Sequence, residues 1–207
     1  MSAHNTGILF IISAPSGTGK TSLVKALIDS LSNIVVSVSH TTRPVRPGEL
    51  DGINYHFVSV DAFKKMFDEH EFLETAEVYG NFYGTSKQCV RKTLDQGKDV
   101  ILEIEWQGAR QVRKLFPEAV SIFILPPNKA ALKQRLESRG QDNAVIIAKR
   151  LELASQEVNC QGEYNYLIVN DQFEVALSDL RSIVRAEHSK QGRQEKRLEA
   201  LLNELTS

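Results

Sequence analysis

Cysteine is scarce in this chain: only Cys89 and Cys160 occur among 207 residues, far apart and outside any paired metal-ligand spacing. That excludes a disulfide-stapled scaffold and a thiolate zinc site, and it leaves free thiols in a reducing compartment as the expectation. Any excess of one charge over the other is nearly absent. Lys and Arg total 25 against 26 Asp and Glu, a formal net charge of −1, so the bulk electrostatics suggest neither nucleic acid nor an anionic membrane as a partner. No apolar run approaches the roughly 18 residues of a membrane span. The first seven residues lack the basic start and apolar stretch of a signal peptide, so a cytoplasmic protein is expected. What remains is ordinary: 42% hydrophobic and 25% charged residues suit one domain, or one core with inserted lobes.

Residues 8–12 (ILFII) form a continuous, β-branched apolar run, the pattern of a strand buried on both faces. A Gly/Ser/Pro loop follows, then residues 22–31 with Leu23, Leu27 and Leu31 at helical spacing. Residues 100–104, 122–125 and 166–169 also read as buried strands, separated by helical patterns over 107–115, 129–138 and 144–158. Alternating units of this kind predict an α/β fold with a mostly parallel sheet, built as a P-loop core of residues 1–35 and 91–207. Residues 36–90 break the rhythm with short alternating segments at 36–42, 55–58 and 73–78, a turn-rich stretch at 43–52 and a short helix over 61–67. They read as a small strand-rich lobe inserted into the core. Gly140-Gln141-Asp142-Asn143 interrupts two helices as the tip of a flap spanning about 136–150. Residues 188–205 read as one amphipathic terminal helix, with Leu198, Leu201, Leu202 and Leu205 on a face expected to pack on the chain's own core rather than on a second subunit. A homo-oligomer stays open. The histidines (His4, His40, His56, His70, His188) show no metal-ligand spacing and read as structural or surface residues.

The segment Ala14-Pro15-Ser16-Gly17-Thr18-Gly19-Lys20-Thr21, followed by Ser22, matches GxxxxGK[ST] except for Ala at the first Gly. Small residues let backbone N–H groups turn inward around phosphate oxygens, helped by the N-terminus of the next helix. Lys20 sets a full charge against the β and γ phosphates, and Thr21 offers a hydroxyl to Mg²⁺. A nucleoside triphosphate is therefore expected on residues 14–22, with Asn170, at the end of the last strand, on the side of the ATP base.

A GTPase would need DxxG and NKxD motifs. Glu105-Trp106-Gln107-Gly108 only echoes the first, and Asn128-Lys129-Ala130-Ala131 lacks the aspartate of the second. A small-molecule kinase needs instead a second phosphate site facing the first. Arg43 and Arg46, in a Pro/Gly-rich segment that cannot be helical, offer paired guanidinium forks for a monophosphate, and Tyr55 and Tyr83 can add hydroxyl donors.

From residue 8 to 185 the sequence resembles guanylate kinase, through SAPSGTGKTS, VSVSHTTRPVRPGE, DGINYHFVS, FLETAEVYGNFYGTS, ILEIEWQGA, IFILPP, RLESRG, AKRL and YLIVND. The resemblance implies GMP contacts at Ser39, Arg43, Arg46, Tyr55, Glu74, Tyr83, Thr85 and Glu105. Glu74 would accept both N–H groups of the guanine edge, while Ser39 and Thr85 would donate to its keto oxygen. It also implies a lid whose Arg139 and Arg150 close on the ATP phosphates, with Lys20, Arg43, Arg139 and Arg150 as the catalytic cations. Arg135, one turn from Arg139, reads as a salt-bridged structural arginine. Glu103, ending a strand, would hold Mg²⁺ through water. Two departures stand out: the family commonly carries Asp where this chain has Glu103 and Glu105, and Ser where it has Thr85. The implied reaction is ATP + GMP or dGMP to ADP + GDP or dGDP, with Mg²⁺ and no nucleic-acid or membrane partner. The rivals are an inactive guanylate-kinase-like binding module and a related sugar-phosphate kinase.

Overall fold

The computed structural model describes residues 6–78, 80–138 and 143–207. The chain runs β1 (Leu9–Ser13), α1 (Lys20–Ser30), β2 (Ile34–Val36), β3 (His40–Thr41), β4 (His56–Phe57), α2 (Val60–Asp68), β5 (Phe72–Val78) and β6 (Asn81–Ser86). It continues through α3 (Lys87–Asp95), β7 (Asp99–Glu103), α4 (Trp106–Leu115), β8 (Val120–Leu125), α5 (Lys129–Ser138) and α6 (Ala144–Val158). After a single 3₁₀ turn (Gln161–Glu163) come β9 (Tyr166–Val169), α7 (Phe173–His188), α8 (Gln191–Arg197) and α9 (Glu199–Thr206).

Five of these strands form a parallel sheet in the order β2-β7-β1-β8-β9. Central β1 is buried along its whole length, as its unbroken apolar run requires. Its side chains alternate between faces. Ile8, Phe10 and Ile12 pack with Leu23, Val24 and Leu27 of α1 and Leu177 and Leu180 of α7. Leu9 and Ile11 face Val90 and Leu94 of α3 and Ala109 and Val112 of α4. Each of these side chains larger than alanine contributes about 1.5–3 kcal/mol on burial. The strand order reverses around β1, which opens a crevice at the C-terminal ends of the strands, the place where open α/β sheets take ligands. A second, mixed sheet, β4-β3-β6-β5, carries the lobe, its face filled by Phe63 stacked on Phe72 with ring centroids 4.5 Å apart.

The structure departs from the sequence expectations in four places. Residues 36–42 are not one segment: β2 ends at Val36 inside the parallel sheet, and β3 starts at His40 in the other. The lobe boundary drawn at 90/91 cuts through α3. The strand at 166–169 is not buried on both faces; β9 is an edge, with Ile168 covered but Leu167 and Val169 half exposed. The terminal helix is broken at Ser189 and again at Leu198, and α9 buries none of its residues, leaving Leu201, Leu202 and Leu205 exposed instead of packed on the core. A leucine stripe predicts amphipathicity, but nothing in it says whether the chain returns to its own core. The flap tip expected at 140–143 lies outside the described residues except for Asn143, whose side chain caps α6 by accepting from Ile146 N. No described helix is long and apolar enough to cross a membrane.

Candidate active site

The loop after β1 is shaped by two glycines in the left-handed region, Gly17 (φ 92°) and Gly19 (φ 96°). Ala14 is not among the positive-φ residues, so a small side chain serves at the first position of the loop and glycine is not required there. A methyl on Gly17 would strike Leu136 of α5, and one on Gly19 would strike the Asn170 amide. The loop therefore lies tight against its neighbours. Helix α1 has no side-chain cap, which leaves its first-turn N–H groups open toward the crevice, an arrangement that attracts anions.

Asn170 and Arg135 hold this loop from behind. Asn170 Nδ2 donates to Thr18 O at 2.7 Å, while Arg135 donates to Thr18 O at 3.2 Å and to Asn170 O at 2.9 Å. Arg135 thus grips backbone carbonyls where a carboxylate partner was expected. Asn170, expected toward the ATP base, is buried and commits its amide to the loop.

Lys20 and Thr21 meet the two acidic residues of the β7 end. Thr21 Oγ1 donates to Glu103 Oε2 at 3.0 Å, and Lys20 Nζ lies 3.8 Å from Glu105 Oε1. Beside them is Glu157 on α6, a residue without a role in the sequence expectations. Burial, then the neighbouring charge of Glu105, pushes its carboxyl up, while Lys20 pulls it back. Its place on α6 follows from tertiary packing alone, so no local sequence signal could have found it.

Across the crevice, the lobe assembles a polar row. Glu74 on β5 is directly opposite Thr85 on β6 in the antiparallel register, and Thr85 Oγ1 donates to Glu74 Oε1 at 2.6 Å. Ser39 Oγ lies 3.2 Å from Thr85 Oγ1. Glu74 is 3% exposed, and burial raises its pKa to about 7, with the hydroxyl of Thr85 opposing and the charge of Glu105 adding to the rise. Glu74 and Glu105 are therefore close enough to sense each other.

The arginine loop is organised by Glu49. Arg43 Nη2 donates to Glu49 Oε1 at 2.7 Å, and Arg46 N donates to Glu49 Oε2 at 2.8 Å. These contacts hold the Glu49 carboxyl below the usual range, the Arg43 hydrogen bond foremost. The Arg43 guanidinium lies 5.4 Å from the Tyr55 ring centroid, and Tyr55 and Tyr83 meet edge to face at 5.9 Å. Burial, then Tyr83, raises the Tyr55 phenol. A glutamate three residues beyond the second arginine of a turn was the available signal for Glu49. Arg46 is exposed, Arg150 sits half-buried on α6, and Arg139 lies outside the described residues.

Among the described residues no group of three His, Cys, Asp or Glu side chains could hold a metal on its own. The Thr21–Glu103 pair supplies two hard oxygen donors side by side, which suits an ion that keeps water and takes most of its ligands from phosphates.

A family model described as guanylate kinase matches residues 7–187. The guanylate kinase of Pseudomonas fluorescens is 59% identical over 202 residues, covering 98% of this chain and 98% of that protein. That of Saccharophagus degradans is 56% identical over 202 residues with the same coverage of both. Among solved structures, a guanylate kinase from Anaplasma phagocytophilum superposes with a TM-score of 0.77 at 35% identity, over 91% of this chain and 89% of that one.

Proposed function

The chain belongs to the guanylate kinase family, and we propose that it moves the γ-phosphoryl group of ATP onto GMP or dGMP. The observation that carries this reading is the Ser39–Thr85–Glu74 row, a hydroxyl pair ending in a buried carboxylate. Guanine presents a keto acceptor beside two N–H donors; with the Thr85 proton turned from Glu74 to the keto oxygen beside Ser39, this row answers each of those groups. Adenine would meet a donor with a donor and leave the carboxylate poorly paired, a mismatch worth on the order of 10⁴ in discrimination.

ATP lies on the loop of residues 14–22 with its phosphates against the first turn of α1 and Lys20. Arg43 and Arg46, helped by Tyr55 and Tyr83, take the phosphate of GMP. An oxygen of that phosphate attacks the γ-phosphorus in line. The new P–O bond forms as the bond to the β-bridging oxygen breaks, and the electron pair leaves with ADP. The nucleophile is already an anion, so no general base is needed, and catalysis consists of positioning and cationic stabilisation. Arg139 and Arg150 supply the lid's share of that charge. Thr21 and, through water, Glu103 would hold Mg²⁺. When bound, that ion neutralises the oxygens of the β and γ phosphates.

The reaction is cytoplasmic and serves purine nucleotide interconversion. The rival readings gain no support: an inactive binding module has no use for Lys20 and Thr21 beside Glu103, and a sugar-phosphate kinase has none for the Glu74 row. The test is ADP formation with ATP and Mg²⁺, offering GMP, dGMP, AMP, CMP and UMP in turn. Turnover with GMP and dGMP alone is expected. Folded protein that binds ATP yet turns over none of them would overturn the assignment.

A further inference from the structure

Helix α4 contains a glycine that its own conformation does not require. Gly108 is the third residue of the helix and does not have a positive φ, so neither a turn nor left-handed backbone accounts for it. Glycine in a helix also weakens it relative to alanine. The reason is space. A methyl on Gly108 would overlap Glu74 Oε2 and come within 3.1 Å of Glu74 Cδ and 3.4 Å of Cγ. The carboxylate of Glu74 occupies the place where a side chain of α4 would otherwise stand.

One turn on, the same helix face grips the backbone beside Glu74. Gln111 Nε2 donates to Thr75 O at 2.7 Å, and Gln111 Oε1 accepts from Thr75 N at 3.1 Å. Such a grip matters because the ladder is irregular just there: the β5–β6 register shifts between Phe72 and Glu74. Phe72, Glu74, Thr75, Lys87 and Gln111 line one small pocket at this contact.

We infer that Gly108 and Gln111 of α4 are positioning residues for base specificity: they fix where the Glu74 carboxylate stands, the one by leaving space and the other by holding the strand. This rests on the reading of Glu74 as the group that meets the guanine N–H donors. It adds that the helix beginning at the Glu105 end of β7 also sets the geometry of the lobe's reader, so the two sheets share one specificity device.

The experiment compares kcat/KM for GMP and for inosine monophosphate, which lacks the exocyclic amine, in Gly108→Ala, Gln111→Ala, Glu74→Ala and the Glu74→Ala/Gly108→Ala double variant. ATP affinity by calorimetry and thermal melting accompany the kinetics. Gly108→Ala is expected to raise KM for GMP by roughly 10- to 100-fold, an ångström-scale misplacement being enough for that, and to shrink the preference for GMP over inosine monophosphate. Its ATP affinity and melting temperature should stay near those of the parent chain. Gln111→Ala should move the preference the same way by a smaller factor, which keeps the test alive should Gly108→Ala fail to fold. In the Glu74→Ala background, Gly108→Ala should cost nothing further, because both act through one carboxylate. An unchanged GMP preference in both single variants of α4, or the full Gly108→Ala penalty persisting without Glu74, would overturn the inference. Should Glu74→Ala itself leave the preference intact, the reading of Glu74 falls, a result distinguishable from the failure of α4 alone.

Discussion

Lys20 and Glu105 are an ion pair, Nζ to Oε1 at 3.8 Å, so the cation of the phosphate loop and a carboxylate proposed to face guanine are electrostatically joined. The charge of Glu105 also presses on Glu74. Removing Lys20 therefore acts on both substrates. Lys20→Met is expected to lower kcat by roughly 10³, the scale of a lost phosphate-binding cation. It should also weaken GMP affinity at pH 7 several-fold, because Glu105 loses its counter-charge beside Glu74. Steady-state kinetics and GMP titration calorimetry would check the two effects separately, and an unaltered GMP affinity would count against the coupling.

The elevated pKa of Glu74 fixes the direction of a pH effect. Its carboxyl titrates near 7 in the fold against a reference of 4.5, so between those values the folded chain binds more protons than the unfolded chain. Stability contributed at this site accordingly falls as pH rises from about 4.5 to about 7, then levels. Guanine needs the ionised form, so GMP binding should run the other way and strengthen up to and just beyond pH 7. Comparing the pH profile of kcat/KM for GMP between the parent and Glu74→Gln isolates the effect. The rise beyond that of the substrate phosphate should be missing in the variant.

Glu49 holds both arginines of the monophosphate loop, one through its guanidinium and one through its backbone. Glu49→Ala leaves Arg43, 9% exposed, without its carboxylate and frees the turn. KM for GMP should rise roughly tenfold, consistent with loss of a charge-assisted hydrogen bond, with kcat at saturation falling much less. A fall in KM would mean that Glu49 competes with the substrate phosphate instead of preparing its site.

At the opposite end of the parallel sheet, buried Asp99 accepts from Ile8 N at 2.8 Å and lies 2.6 Å from His188 Nε2. His188→Ala removes one partner of a buried carboxylate and should cost about 1–3 kcal/mol in denaturant unfolding. Since the pair is remote from the crevice, KM for both nucleotides should not move. A change in KM without a change in stability would contradict this placement.

The parallel core was legible because a strand buried on both faces has to be apolar throughout, as residues 8–12 are, and because a phosphate loop needs Gly17 and Gly19 for backbone reasons visible in the sequence. Edge position was not legible. Residues 166–169 are as apolar as a central strand, and only the sheet order leaves Leu167 and Val169 half exposed. The lobe was read as strand-rich, yet its register, which brings Glu74 opposite Thr85, comes from long-range pairing that no local pattern encodes. For the same reason Glu157 and Gln111 went unread and Arg135, read as structural, was given the wrong partner: each takes its role from a group far away in the chain.

The central strand has a consequence for synthesis. β1 is made first, but its hydrogen-bonding neighbours β7 and β8 leave the ribosome only after the entire lobe has been translated. Until then the most apolar segment of the chain has no strand to pair with and must be shielded by α1 or by outside help, the situation in which non-local sheets fold slowly and aggregate. Any insertion that lengthens the lobe would prolong that exposure.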